Sequence, residues 1–281
     1  MRRSLDALKM KRPSASMAVA MVALFVALGG GAYAATQING NQIQNGTINY
    51  QKFTPATQGR VHHSVGAHWG VIARNTIGSG VAALRAGPYG SFGVTGPSSR
   101  PSGVGSLGIQ VSDSATSGSP AAEKVAFGNE VDFYGDPVSG LSQVGFRVFQ
   151  TGENAAIAPR NMPNIALEIN PRTGSSYSTM VWVPDAAPVT NRWSAFINAT
   201  TTGDWYFTGS AGTATGCNQV TMCSFTGAKS ALAANQVGGT PASILTVAIS
   251  KGRDNTWAGA VDNLRINSAT YNFEPYGVRS N

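Results

Sequence analysis

The chain has 281 residues, with 20 Lys and Arg against 13 Asp and Glu and a formal net charge of +7. Five of the basic residues and one of the acidic residues lie in the first 34 positions, which leaves 15 basic and 12 acidic residues, a net charge of +3, for the rest of the chain. That rest contains no Lys/Arg cluster and no nucleic-acid-binding motif, so the sequence predicts no nucleic-acid partner.

Residues 1–34 have the pattern of a bacterial export leader. A basic start precedes an apolar run at 17–28, and small residues follow that end in Ala-Tyr-Ala at 32–34, an A-x-A cleavage pattern. We therefore predict a signal peptide at 1–34 and a mature chain that begins at Ala35, with no stable membrane span after cleavage. A retained anchor is the alternative, since a span needs about 20 apolar residues. The glycines at 29–31 are poor helix formers and favour cleavage.

Two pieces of this leader carry a more specific signal, Pro-Ser-Ala-Ser-Met at 13–17 and Ala-Leu-Phe-Val-Ala-Leu-Gly-Gly-Gly-Ala-Tyr-Ala-Ala-Thr at 23–36. Together they resemble the leader of many secreted actinobacterial proteins of unassigned function. The resemblance implies a Gram-positive protein that is secreted to the extracellular space or associated with the cell envelope. It implies nothing about activity.

Residues 35–62 are predicted to be a polar spacer rich in Asn, Gln and Gly. Within it Ile38, Ile43, Ile48 and Phe53 recur every five positions, which is a repeat and not a globular pattern. Four such pentads bury little apolar surface, and this favours an extended spacer. A stalk that pairs or trimerises through the isoleucine row is the alternative, so the oligomeric state stays open.

Residues 63–281 are predicted to form one all-β domain, an antiparallel jelly-roll sandwich. Turn residues are abundant, and the apolar positions are Val, Ile, Phe, Trp and Tyr, which favour strands. The best helix candidate is short, at 228–236. Nine segments show strand patterns: 103–111, 123–134, 141–150, 165–169, 177–183, 193–199, 204–208, 244–250 and 258–266.

Several pieces carry a resemblance through their order along the chain: the opening 105–109, the central pair 164–170 and 177–184, the aromatic 192–193 and 203–206, and, as the most specific piece, the closing 259–266 with 270–275. In this order they resemble a jelly-roll module common in secreted bacterial proteins, related in general shape to galactose-binding and carbohydrate-binding sandwiches. The resemblance covers residues 103–275 and departs at Asn272, where an aspartate is usual. It implies a sandwich that binds glycan.

Cys217 and Cys223 are the two cysteines of the chain. An exported chain meets an oxidising environment that favours pairing, so we predict a local disulfide between them. Zinc would need two further ligands. The only histidines, His62, His63 and His68, lie far upstream.

Three acidic residues lie late in the chain, where carbohydrate-binding relatives often hold calcium: Asp254, Asp262 and Glu274. Their spacing does not match a calcium loop. The sequence therefore predicts neither a metal nor a cofactor.

The segment 129–136 contains a pattern like that of retaining glycosidases of the laminarinase type, which carry E-x-D-x-E or E-x-D-x-x-E on a strand. The period of a strand places Glu130 and Asp132 on one face, as acid–base chemistry on a glycosidic bond needs. The second glutamate is missing, since Tyr134 and Gly135 occupy its two possible positions. Two polar residues on the wet face of a strand are the alternative interpretation.

Large aromatic residues recur on the later strands, and we predict four of them as ligand-binding residues: Trp182, Trp205, Tyr206 and Trp257. Exposed rings stack on the apolar faces of sugars. The alternative for each ring is that it is buried in the core. Trp205 and Tyr206 are adjacent, so an extended chain points them to opposite faces and one of them is the best candidate for exposure.

These patterns together predict an exported, non-enzymatic sandwich whose partner is a polysaccharide or cell-wall glycan. A purely structural or adhesive surface protein, with every large aromatic buried, is the first alternative. A divergent glycoside hydrolase that uses Glu130 and Asp132 is the second.

Overall fold

A computed structural model of the chain describes residues 14–17, 19–21, 23–24, 68–88, 101–111, 123–186 and 190–280. The chain divides into two compact units, Met1–Gln58 and Gly59–Asn281. In the first unit the described residues after Ser14 are helical and exposed, and the hydroxyl of Ser14 accepts a hydrogen bond from the backbone N–H of Met17. None of the described helices has the length and apolar character needed to cross a membrane. The predicted cleavage site and the spacer lie outside the described residues.

The described part of the second unit contains fourteen strands and three α-helices. The strands are β1 (Trp69–Val71), β2 (Val81–Ala86), β3 (Gly105–Val111), β4 (Lys124–Asn129), β5 (Val144–Gln150), β6 (Asn164–Asn170), β7 (Ser178–Val183), β8 (Arg192–Trp193), β9 (Ile197–Asn198), β10 (Asp204–Phe207), β11 (Ser243–Gly252), β12 (Trp257–Ile266), β13 (Ala269–Glu274) and β14 (Gly277–Ser280). The helices are α1 (Gly152–Ile157), α2 (Gly209–Thr215) and α3 (Phe225–Ala234).

The strands form two antiparallel sheets. Sheet A has the order β1-β4-β11-β6-β7-β10. In sheet B, β12 pairs with β3 on one side and with β5 on the other; β2 extends the sheet beyond β3, while β8 and β9 both pair with β5. The hairpin β13–β14 continues from the second half of β12. The predicted all-β antiparallel sandwich is confirmed.

Alternation along the strands sends apolar side chains into the space between the sheets. Ile165, Leu167 and Ile169 share the inner face of β6 and are fully buried, as their spacing predicts. Trp182 of β7 meets Phe146 of β5 edge to face, with ring centroids 5.9 Å apart, and this pair joins the two sheets. The core is therefore continuous between the central strands of both sheets.

The helices depend on packing more than on their own sequence. The predicted helix at 228–236 exists as α3, which begins earlier because the hydroxyl of Ser224 caps it by accepting the N–H of Gly227. Neither α1 nor α2 was predicted, and the Gly, Ser and Thr of α2 are weak helix formers. Buried Gly212 is required there, since a Cβ would lie 2.3 Å from the carbonyl oxygen of Phe207.

Two predicted strands are shorter than their patterns indicate. The segment 193–199 forms only the short β8 and β9, because the hydroxyl of Ser194 accepts the backbone N–H of Val148 and interrupts the ladder between them. The segment 123–134 is a strand only as far as Asn129, after which the chain turns. The apparent alternation after Asn129 is therefore part of a turn.

The predicted disulfide between Cys217 and Cys223 is confirmed, with the two Cα atoms 5.5 Å apart. It lies in the connection between α2 and α3. Backbone hydrogen bonds join Cys223 to Trp205 in both directions, at 2.7 and 2.9 Å. The bridge therefore anchors this connection against the edge strand β10.

Replacing both cysteines with serine should lower the free energy of unfolding by about 2 to 3 kcal/mol, because the bridge restricts the unfolded chain. The protein should remain folded, since a domain of this size has a larger stability than that. Denaturant unfolding of the full chain, followed by tryptophan fluorescence, measures the change. A reductant should lower the midpoint of the parent and leave that of the double variant unchanged; an equal shift in both would contradict the prediction.

Candidate functional site

The three predicted tryptophans are core residues, which corrects their assignment as ligand-binding residues. Trp182, Trp205 and Trp257 are at most 1% exposed. Each indole N–H donates to an acceptor inside the domain: the carbonyl oxygens of Thr202 and Ala199 for the first two, and the side chain of Gln150 for the third, at 2.7 to 2.8 Å. Their polar atoms are thus satisfied and their rings are not available to a sugar.

The side chain of Tyr206 points to the opposite face of β10 from its neighbour Trp205, because successive residues of a strand alternate between its two faces. It lies on the outer face of β10 opposite Val181 and is half-buried. Burial raises the pKa of its phenol, and the negative charge of Asp254 raises it further. The phenol is therefore neutral at physiological pH, and its role in binding stays a prediction.

Glu130 and Asp132 do not share a strand face, because both follow the end of β4 in a turn. Glu130 forms an ion pair with Arg74. Asp132 lies 2.6 Å from the ring nitrogen Nδ1 of His68 and accepts a hydrogen bond from the side chain of Asn129. The structure therefore places the two carboxylates in separate pairs.

A network around Glu168 occupies the outer face of sheet A. Glu168 is 2% exposed, and its two carboxylate oxygens together accept four hydrogen bonds. Oε1 accepts from the side chain of Asn75 at 2.7 Å and from the hydroxyl of Tyr177 at 2.8 Å; Oε2 accepts from the hydroxyl of Thr246 at 2.7 Å and from Arg74. The residues come from the segment after β1, the turn before β7, and the central strand β11.

The electrostatics of this network favour a permanent anion. Burial by itself raises the pKa of Glu168, but the hydrogen bonds from Thr246, Asn75, Tyr177 and Arg74 outweigh it and hold the pKa below its ordinary value. Arg74 is shared with Glu130, so one cation serves two carboxylates. An ionised, fully bonded carboxylate fixes the segment after β1 to the sheet and does not supply a proton at neutral pH.

The three late acidic residues do not converge. Asp254 pairs with buried Lys251. Glu274 accepts the backbone N–H of Val104, and Asp262 accepts that of Phe273. Across the described ranges, no group of three or more His, Cys, Asp and Glu residues is placed to hold a metal ion.

Asp262 is nonetheless unusual. It is fully buried on the outer side of β12, and its Oδ2 has no hydrogen-bond partner in the described part of the chain. Burial raises its pKa to about 7, although hydrogen bonds from the backbone of Phe273 and Asn263 act in the opposite direction. The negative charge of Glu274 adds to the rise. The acid is therefore protonated under mildly acidic conditions.

A cleft of about 450 Å³ opens at one end of sheet A. Its lining comes from two strands and three connections: Tyr134, Gly135, Pro137, Asn170, Arg172, Thr240, Pro241, Ser243 and Leu245. Asn170 at the end of β6 pairs with Ser243 at the start of β11, and these strand residues form the floor. The cleft is close to the network, because Asn170 lies two residues from Glu168 on the same face of β6.

One wall of the cleft is the turn after β4. The backbone N–H of Gly135 donates to the carbonyl oxygen of Ile244, and that of Ile244 donates to the carbonyl oxygen of Asp136, both at 2.8 Å. Gly135 has φ of 91°, which a glycine adopts without strain. This rigid turn holds Tyr134 with 69% of its surface exposed.

The opposite wall carries Arg172, in the turn between β6 and β7. Its backbone N–H donates to the side chain of Asn170 at 3.3 Å, and its carbonyl oxygen accepts the N–H of Val237 at 2.7 Å. The cleft thus combines an exposed aromatic ring, a guanidinium, an amide and a hydroxyl. Such a set suits a ligand with both apolar faces and polar substituents.

Sequence reasoning missed the cleft residues Tyr134 and Arg172. The local signals were Gly-Asp-Pro at 135–137 and Asn-Pro-Arg-Thr-Gly at 170–174, both of which mark turns. These signals locate the ends of strands, whereas the meeting of the two turns depends on the register of β6 with β11.

No protein-family model, no curated protein and no solved structure matches the chain.

Replacing Asp262 with Asn should remove a pH dependence of stability. Because the folded pKa of about 7 lies above the unfolded value of about 3.9, the acid destabilises the fold above pH 7 and this penalty disappears as the pH falls toward 4. Between pH 8 and pH 5 the parent should gain about 2.5 kcal/mol of unfolding free energy relative to Asp262→Asn. Denaturant unfolding of both proteins at pH 8 and at pH 5 measures this difference in unfolding free energy. Parallel pH profiles of parent and variant would contradict a raised pKa for Asp262.

Proposed function

We propose that this protein is a non-enzymatic binding module and that it binds glycan in the cleft at the end of sheet A. The observation that carries the proposal is a cleft whose lining includes the exposed Tyr134 and polar residues of two paired strands. Sugars present apolar C–H faces to aromatic rings and hydroxyls to amide and hydroxyl groups. Asn170 and Ser243 supply those polar groups.

Rigidity of the cleft supports a binding role. Its floor belongs to β6 and β11, the central strands of sheet A, and its turn is bonded to β11 through the backbone. A site built on packed strands loses little conformational freedom when a ligand binds, which favours affinity. The Glu168 network strengthens the same region by joining β6, β11 and the turn before β7.

The ionisation and the ion pairs of the carboxylates support a non-catalytic role. Hydrolysis of a glycosidic bond requires one carboxyl group that carries a proton and a second that acts as base or nucleophile. The pKa of Glu168 is lowered, Glu130 is paired with Arg74, and Asp132 is close to His68. None of these three groups is arranged as a free proton donor beside the cleft.

The setting of the proposed activity is extracellular. The leader pattern at 1–34 supports export, and the Cys217–Cys223 bridge is typical of proteins that fold in an oxidising compartment. A structural or adhesive surface protein is the second candidate function. The burial of Trp182, Trp205 and Trp257 favours it, because these rings stabilise the core.

Replacing Tyr134 with Ala should weaken glycan binding about fivefold, the equivalent of about 1 kcal/mol of lost stacking, and should leave the unfolding midpoint almost unchanged. A glycan array with the labelled full chain identifies the ligand, and calorimetry with that ligand measures the dissociation constant.

Tyr276→Ala is the matched control, because Tyr276 is 82% exposed and lies outside the cleft lining. It should leave binding unchanged. If the parent retains no glycan on the array, or if both tyrosine variants bind as the parent does, the structural candidate replaces the proposal.

A further inference from the structure

Arg172 is the one charged residue in the lining of the cleft. Its side chain is exposed, and within the described ranges its guanidinium has neither an ion pair nor a hydrogen bond. Arg74, by contrast, is engaged by two carboxylates. An unpaired guanidinium at the edge of a cleft has all its N–H donors available to a ligand.

The backbone at Arg172 is held in a conformation that arginine rarely adopts. Its φ is 56°, in the left-handed region, which costs a non-glycine residue free energy. The hydrogen bonds to Asn170 and from Val237 maintain this conformation. Residues held in such conformations cluster at ligand sites, so the strain is consistent with a side chain directed for binding.

The charges near the cleft leave the positive charge of Arg172 without a local counterion. Asp136 belongs to the opposite turn but is not part of the lining, and its charge acts on Tyr271. Glu168, two residues from Asn170, is paired with Arg74, and the positive charge of Lys124 also acts on it. The cleft therefore attracts anions more strongly than neutral molecules.

From these observations we propose that the ligand is an anionic glycan whose carboxylate or phosphate group is bound by Arg172 while a sugar ring packs against Tyr134. A guanidinium binds either group with two parallel hydrogen bonds, and its planar shape matches both. This inference rests on the proposed glycan-binding function and names its ligand class.

The test compares one polymer in two charge states. Polygalacturonic acid and its fully methyl-esterified form share a backbone and differ in the carboxylate, and a phosphorylated mannan carries phosphate groups on a sugar backbone. Binding of the full chain to each is measured by calorimetry at low and at high salt. The parent should bind at least one anionic polymer about tenfold more tightly than the methyl ester, and less tightly as salt rises.

Arg172→Asn is the informative variant, because asparagine accepts a positive φ and so preserves the turn. It should weaken anion binding about tenfold and leave binding of the methyl ester unchanged. Arg253→Asn is its matched control, since Arg253 is also exposed, has φ of 62° and lies outside the cleft. Arg172→Lys should retain part of the affinity through charge alone.

The outcomes separate the two proposals. Equal affinity for the acid and its methyl ester, or preference for neutral glycans, would overturn the anionic ligand and leave glycan binding intact. Undiminished anion binding by Arg172→Asn and Arg172→Lys would also overturn it. Binding of the phosphate polymer alone would identify phosphate as the recognised group, and failure to bind any glycan, charged or neutral, would remove both proposals.

Discussion

Glu168 is an ionised carboxylate on a central strand, almost without contact with water, and the arrangement of sheet A depends on its four hydrogen bonds. A buried charge is tolerated only when its lone pairs are filled, so the donors must arrive from several elements at once. They come from the segment after β1, from the turn before β7 and from β11. The outer face of the sheet is thereby joined to the first strand of the domain.

The cleft is a consequence of the same arrangement. The network holds the turn before β7 through Tyr177, and Arg172 lies in that turn. The opposite wall is fixed separately, by backbone bonds between the turn after β4 and the start of β11. The aromatic residues of this domain differ in their exposure. Trp182, Trp205 and Trp257 are buried in the core, whereas Tyr134, Tyr177 and Tyr276 are exposed in connections between strands.

Local alternation was enough to predict strands β3 to β12 and the shared face of Ile165, Leu167 and Ile169 in β6, but it did not predict β1, β2 or β14. The disulfide also followed from sequence, because the chain has two cysteines, six residues apart, which have one way to pair with each other. The segment after Asn129 shows the limit of this reasoning. Its alternation of apolar and acidic residues is the same in a turn and in a strand, and only the pairing of β4 with β1 and β11 shows where the strand ends.

The candidate site could not be predicted from the sequence, for a related reason. Ring size alone does not separate Trp205 from Tyr134, since either could be exposed. What separates them is position: β10 places Trp205 between the sheets, whereas Tyr134 occupies a turn. The pairing of Asn170 with Ser243 joins residues 73 positions apart, and no short-range pattern contains that contact.

The order in which strands occupy the sheets has a consequence for how the chain acquires its structure. Strands β11 and β12 come late in the sequence, yet β11 separates β4 from β6 in one sheet and β12 separates β3 from β5 in the other. Until these two strands are available, neither sheet is continuous and the strands on either side of them have no common partner. Long loops must close before these contacts form, which makes folding slow. A ribosome that still holds these two strands therefore leaves the preceding strands without the partners that complete either sheet.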